Sequence, residues 1–219
     1  MLGNDVQDNS GALADRAYRY IEEQIVTMNL RPGDTVPDKA IAETLGISRT
    51  PVREAILRLR NERLVESQAR RGLFVQAIDL ADYRDILETR RALDNLITRT
   101  ACQRAEPEHL ADLRICAAEM RAAGASRDVE AFMRADRRFD QIVAEAARLV
   151  AATAAVMPLH SHCRRFWYAH KRSGDLAASA TYHIEIMEAL ALQDGDRAVA
   201  GNNTLIDYLV SFLRNILGD

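Results

Sequence analysis

The stretch "LGISRTPVREAILRL" at residues 45–59 constrains the fold of this chain more than any other. Gly46 stands where a helix ends on a left-handed residue, and Ser48, two positions on, is a strong N-cap for the next helix. The spacing predicts one short helix over about residues 38–45 and a second that begins at Arg49. Pro51 falls in the first turn of that second helix, where a missing amide donor costs nothing. Val52, Ala55, Ile56 and Leu59 repeat at helical spacing and form a buried stripe, which leaves Arg49, Thr50 and Arg53 outside. Two helices joined by so tight a turn, the second offering arginines from its N-terminal half, make a helix-turn-helix suited to the major groove of DNA.

The flanking sequence completes that unit. Upstream, Leu13, Ala17, Tyr20, Ile21, Gln24, Ile25 and Met28 follow helical spacing until "RPGD" at 31–34 ends the helix in a turn. Downstream, "LVES" and "LFVQ" alternate as two short strands around "QARRG", a hairpin whose tip carries Arg70, Arg71 and Gly72. Glycine there lets backbone approach a sugar-phosphate chain, and the arginines suit phosphates or a narrow minor groove. Charge is distributed to match. Residues 39–75 hold eight Lys or Arg against four Glu, whereas residues 77–219 hold 18 basic against 21 acidic side chains. A solvated basic helix that merely packs would explain the arginines but not the turn and the wing together.

Composition excludes several other classes. No apolar run is long enough to cross a bilayer, the longest being "LVAATAAVMPL" at 149–159, so the chain is expected to be cytoplasmic with no membrane partner. Cys102, Cys116 and Cys163 are isolated from one another and form no CxxC pair, which argues against a disulfide framework or a cysteine metal knuckle. The first eleven residues are polar and lack the order of a signal peptide; they are expected as a flexible tail. The expected organisation is a tail over 1–11, a winged helix-turn-helix over 12–76, and an all-helical ligand-binding and dimerisation domain over 77–219. The fold class is mainly α: three helices and a small β-hairpin, then a bundle of about six helices over 79–104, 107–123, 127–146, 148–172, 175–194 and 196–217.

Within the bundle, periodicity points to a pocket. Phe132, Asp136, Phe139, Val143 and Ala146 share a stripe that carries Asp136 among apolar residues, with Asp140 one turn further on. Arg90 lies on the stripe of Tyr83, Leu87, Leu93 and Ile97; His183 on that of Ala180, Met187 and Leu190; His160 on that of Val156, Cys163 and Trp167. Four helices thus each carry an ionisable group into an apolar face. Isolated buried charges cost several kcal/mol apiece, so these groups should meet one another, a metal ion or a polar ligand. The simplest such arrangement pairs Asp136 with Arg90 and hydrogen-bonds His183 within the core.

The segment "IAETLGISRTPVREAILRLRNERLVESQARRGLFV" resembles the winged helix-turn-helix of the GntR family of bacterial transcription regulators, with S-R-T-P-V-R-E-A its most specific run. That resemblance implies DNA contacts by Lys39, Arg49, Thr50, Arg53, Arg71 and Gly72, the two helix arginines lying closest to bases. Arg63 departs from the family's usual glycine after the recognition helix, at a cost of roughly 1 kcal/mol if its backbone is left-handed. "IDLADYRDILETRRALDNLITRTA" and "YHIEIMEALALQDGD" resemble the first and a late helix of the FCD effector domain found in the FadR-like subfamily. Many such domains hold a divalent metal with an Asp, a His four residues later and two further His. The matching positions here are Asp136, Asp140, His183 and Asp207. Three carboxylates and one imidazole are a harder set than the family's, shifting preference from zinc or nickel toward manganese, magnesium or calcium. Arg90 matches an arginine that such domains point into the pocket, and His160 and Arg164 are further candidates for gripping a carboxylate effector.

These readings converge on a homodimeric transcription regulator, a repressor, that binds a short inverted repeat in double-stranded DNA and responds to a small organic acid. It is not expected to be an enzyme. A metal-dependent enzyme built from the same carboxylates would lack a nucleophile and base, and would leave the basic front end unexplained. An architectural DNA binder would leave the buried charges without a purpose.

Overall fold

The computed structural model describes residues 4–172 and 174–218. Its elements are α1 (Asn4–Val26), α2 (Asp38–Leu45), α3 (Arg49–Asn61), β1 (Val65–Gln68), β2 (Gly72–Val75), α4 (Leu80–Arg104), α5 (Pro107–Ser126), α6 (Val129–Ala147), α7 (Val150–His170), α8 (Asp175–Ala191) and α9 (Gly195–Leu217). They form two compact units: a winged unit of Met1–Asp79 with Ser161–Ala169, and a helical unit of Leu80–His160 with His170–Asp219.

In the winged unit Gly46 caps α2 at φ 63°, ψ 34°, its amide reaching back to the carbonyls of Ala42 and Glu43. Ser48 takes the extended N-cap backbone before α3, although its hydroxyl makes no cap hydrogen bond. Pro51, Val52, Ala55, Ile56 and Leu59 are the buried face of α3. They pack with Ala17, Ile21 and Ile25 of α1, Ile41 and Ala42 of α2, and Val65 and Val75 of the hairpin. β1 and β2 pair antiparallel from Val65 opposite Val75 to Gln68 opposite Gly72, and Thr35 bridges Phe74 on the far edge of β2. Arg70 and Gly72 take positive φ at the tip, 63° and 107°, and Arg63 does so after α3 at 60°, the backbone geometry that the missing glycine leads one to expect.

Two features depart from the sequence reading. The first helix begins at Asn4, inside the segment expected as a tail; residues 1–3 lie outside the described residues. No proline interrupts residues 4–12, and Gly11 costs only about 1 kcal/mol in a helix already nucleated downstream. The second departure is that the winged unit takes in a distant segment. Ser161 Oγ donates to Glu22 Oε1 (2.6 Å), His162 Nε2 donates to the Glu62 carbonyl (2.8 Å), and Arg165 donates to the Gln76 carbonyl. Glu22 and Arg165 are almost wholly buried, so each of these bonds offsets part of the cost of taking a polar group out of water.

In the helical unit, neighbouring helices close a ring in the order α4, α9, α8, α5, α6 and back to α4. Gly201 lets α9 approach α8 so closely that a Cβ there would lie 2.9 Å from Ile186 Cγ1. Asp128 and Asp194 cap α6 and α9 through their side chains. The apolar faces of the ring enclose the second candidate site.

Candidate functional site

The first candidate site is the outer face of the helix-turn-helix. Lys39, Arg49, Thr50, Arg53, Arg71 and Gly72 are all exposed. Lys39 reaches Glu43 one turn along α2 at 3.9 Å, a contact worth little in water. Arg49 and Arg53 are ordered by a residue that helical periodicity does not single out. Asp38 Oδ2 accepts from Arg49 Nη2 (2.7 Å) and from Arg53 Nε (3.2 Å). The Arg49 hydrogen bond, more than any other influence, holds the Asp38 carboxyl below the usual carboxylate range. In the wing, the Arg71 guanidinium lies 5.3 Å from the centre of the Phe74 ring, which restrains it near Gly72.

The second is a small, partly open cleft inside the helical unit. Its polar lining is Arg90, Asp94 and Thr98 from α4, Asp140 from α6, His160 from α7, His183 from α8 and Asn202 from α9, set among Ile97, Phe139, Val143, Val156, Met157 and Leu205. Asp94 is the hub. It pairs with Arg90 (Nη2 to Oδ2, 3.0 Å) and with His160 (Nε2 to Oδ1, 2.8 Å). His160 Nδ1 lies 2.8 Å from Asp140 Oδ2, a close charge contact without hydrogen-bond alignment. Behind this row His183 Nδ1 donates to the Ser179 carbonyl (2.7 Å), and its Nε2 lies 2.8 Å from Asp136 Oδ1. The edges of Phe132 and Phe139 flank the ring.

Burial sets the electrostatics, and charge partners reverse them. Burial pushes Asp94 toward its neutral form, but Arg90 and His160 outweigh it and hold the carboxyl below its ordinary value. For His160 burial favours the neutral ring, yet Asp140 and Asp94 raise its pKa. His183 behaves alike, burial being overcome by the Asp136 carboxylate and the Ser179 carbonyl. The pocket wall is a row in which basic and acidic side chains alternate: Arg90, Asp94, His160, Asp140.

Residues 13–75 match the bacterial regulatory proteins of the gntR family, and residues 85–207, more than half of the chain, match the FCD domain. The chain belongs to the GntR family. More finely, it is a GntR regulator with an FCD domain. It is 25% identical to the HTH-type transcriptional repressor RspR of Escherichia coli over 82% of this chain and 79% of that one. A regulator from the ttuE-ttuC' intergenic region of Agrobacterium vitis is 32% identical over 67% of this chain and 86% of the relative. The Nta operon transcriptional regulator of Aminobacter aminovorans is 36% identical, but over only 41% of this chain and 42% of the relative's length. The solved structure of E. coli McbR/YncC shares the fold with a TM-score of 0.78 at 20% identity, covering 94% of this chain and 98% of its own. These families and relatives are transcriptional regulators, not enzymes. Among the described residues no helix is long and apolar enough to cross a membrane.

The GntR frame allows each expected FCD residue to be placed. Asp136 and His183 come together, and the Nδ1 hydrogen bond of His183 is one that metal-binding histidines often make. The other two positions fail. Asp140 is turned to His160, and Asp207 lies on the outer face of α9, 72% exposed and 2.6 Å from Arg91. Helical periodicity gives the reason: Asn202, Leu205, Ile206 and Leu209 occupy the inner face of α9, and position 207 is opposite. Two donors do not make a closed metal site, and no group of three or more His, Cys, Asp or Glu suited to a metal occurs among the described residues. The expected set of Asp136, Asp140, His183 and Asp207 is therefore corrected to a carboxylate–imidazole pair, Asp136 with His183. Arg90 pairs with Asp94, not in the simple Asp136 pair expected from the stripes. Arg164 does not line the cleft; α7 passes into the winged unit at Ser161, where Arg164 Nη2 lies 3.8 Å from Glu22. Asp94 is findable from residue order, since it stands one turn after Arg90 on the same face.

Proposed function

We propose that this GntR regulator is a homodimeric repressor that grips a short inverted repeat through two winged units and changes its grip when a small organic acid enters the helical cleft. The observation that carries the effector reading is the nearly buried row Arg90, Asp94, His160 and Asp140 on the wall of one cleft. Such a row is costly to build for stability alone, because apolar residues of similar volume would serve as well or better. A ligand carboxylate takes the place of Asp94 on the Arg90 fork, while His160 keeps Asp94 neutralised. RspR, similar over most of the chain, is a repressor by name, which favours that direction of control. In the DNA reading, Arg49 and Arg53 address bases, while Lys39, Thr50, Arg71 and the Gly72 backbone hold phosphates.

An acid that binds two arrangements of the dimer unequally shifts operator affinity by that difference and no more. The test begins with duplexes selected by the purified full chain, followed by titration of their complex with a panel of small mono- and dicarboxylates. Release by one class of acid, abolished in Arg90→Ala with DNA binding retained, is the expected result. No acid-dependent change in affinity, or a response that survives Arg90→Ala, rejects the effector reading.

A further inference from the structure

One oxygen atom orders both arginines that the helix-turn-helix offers to bases. Asp38 Oδ2 accepts from Arg49 Nη2 at 2.7 Å and from Arg53 Nε at 3.2 Å. Asp38 is the first residue of α2, so this carboxylate reaches across the turn from the other helix of the motif. Its position is unfavourable on electrostatic grounds alone, since an acid on a phosphate-facing surface repels the DNA backbone. An acid in the first turn of a helix has an ordinary explanation in the helix dipole. Here, however, the Asp38 side chain makes its hydrogen bonds to α3, and no side-chain cap bond closes the start of α2.

The donor inventory says what the contact does. Arg49 and Arg53 are 51% and 64% exposed, and long exposed side chains of this kind lose rotamer freedom when they meet a base. Asp38 imposes that loss before DNA arrives. It holds Arg53 through Nε, which leaves the two terminal nitrogens of Arg53 without a partner among the described residues. Those two form the end-on fork that reads guanine O6 and N7.

We propose that Asp38 is a positioning residue for base readout, fixing Arg49 and Arg53 in one mutual geometry and thereby the base steps they can read. The proposal rests on the DNA-binding reading above. It gives a carboxylate on this face a use: it weakens attachment to any DNA and sharpens the choice among sequences. The lowered pKa of Asp38 agrees, for the group stays ionised throughout the neutral range.

The test uses the full chain, wild type and with Asp38→Ala or Asp38→Asn, each applied to a pool of randomised duplexes, with affinities then measured for selected and random DNA. For Asp38→Ala the preferred-to-random affinity ratio should fall about tenfold, with the loss confined to the bases read by Arg49 and Arg53. Affinity for random DNA should rise, because a repelling charge is gone. Asp38→Asn, which keeps an oxygen acceptor without the charge, should fall between. An unchanged motif with an unchanged ratio overturns the proposal. So does a parallel change on selected and random DNA, particularly with a lowered melting temperature, which would mean that Asp38 only stabilises α2. If the wild-type chain selects no motif at all, the DNA reading itself fails before any variant is compared.

Discussion

Asp136 Oδ1 and His183 Nε2 stand 2.8 Å apart in the floor of the helical unit, with the other ring nitrogen of His183 bound to the Ser179 carbonyl. The imidazole is spanned by a carboxylate and a carbonyl, both of which favour its protonated form against burial. In an FCD domain with inward histidines on α6 and α9 the same two groups would be half of a metal site. In this chain those helices offer Asp140, turned to His160, and the inner-face residues Asn202 and Leu205.

The expected outcome is metal independence. Manganese, magnesium, calcium, zinc and nickel should each leave the melting temperature unchanged, and gently purified protein should carry no stoichiometric ion by elemental analysis; ligands that favour the native state raise it. Asp136→Ala, which removes the carboxylate partner of the buried His183 ring, should cost about 3–5 kcal/mol in urea denaturation. A copurifying ion at one per chain would refute this.

The recognition helix should separate sequence reading from attachment. Arg53→Ala is expected to cost roughly 1–3 kcal/mol on selected DNA and much less on random DNA, while Lys39→Ala weakens both alike and reduces the salt dependence. Equal losses on both duplexes for Arg53→Ala would remove it from the base-reading set.

A single winged unit has too few base contacts for operator specificity, and two on a dimer read a palindrome. Sedimentation of the full chain at micromolar concentration should therefore give twice the chain mass. A monomer would contradict the dimeric reading. The full chain is the proper sample, because Ser161–Ala169 belong to the winged unit and a cut at residue 77 would sever them from the rest of it.

Asp94 supplies a pH signature. Its folded pKa is depressed by Arg90 and His160 in spite of burial, so its contribution is fully present above the unfolded value of about 3.9 and is lost as pH falls through the lower folded value. Asp94→Asn should lower stability at neutral pH by about 3 kcal/mol and flatten the decline below about pH 4. Denaturation series from pH 3 to 7 on both proteins check it; parallel curves would show that Asp94 is not a source of the acid sensitivity.

Much of this is legible in residue order. Gly46, Ser48 and Pro51 mark the turn and the start of α3, because caps are local chemistry, and the hairpin and all six later helices follow from local periodicity. Arg90, His160 and His183 are recognisable as inward because their stripes are apolar. What residue order conceals are partnerships across helices. Asp136 of α6 meets His183 of α8, and Asp38 reaches from one helix to two arginines on the next, since a stripe tells which way a side chain faces and not which neighbour it meets. Arg164 escapes its expected place for the same reason: one turn along α7 changes which unit surrounds the helix.

Because the winged unit closes over Ser161–Ala169, its parts are made far apart in time. As the chain leaves the ribosome, α1, α2, α3 and the hairpin emerge first, with Glu22 still lacking the Ser161 hydroxyl and the Glu62 carbonyl still lacking His162. Most of the helical unit must be synthesised before those partners arrive. The winged unit is thus completed late, and a chain interrupted before α7 lacks the Ser161, His162 and Arg165 partners of Glu22, Glu62 and Gln76.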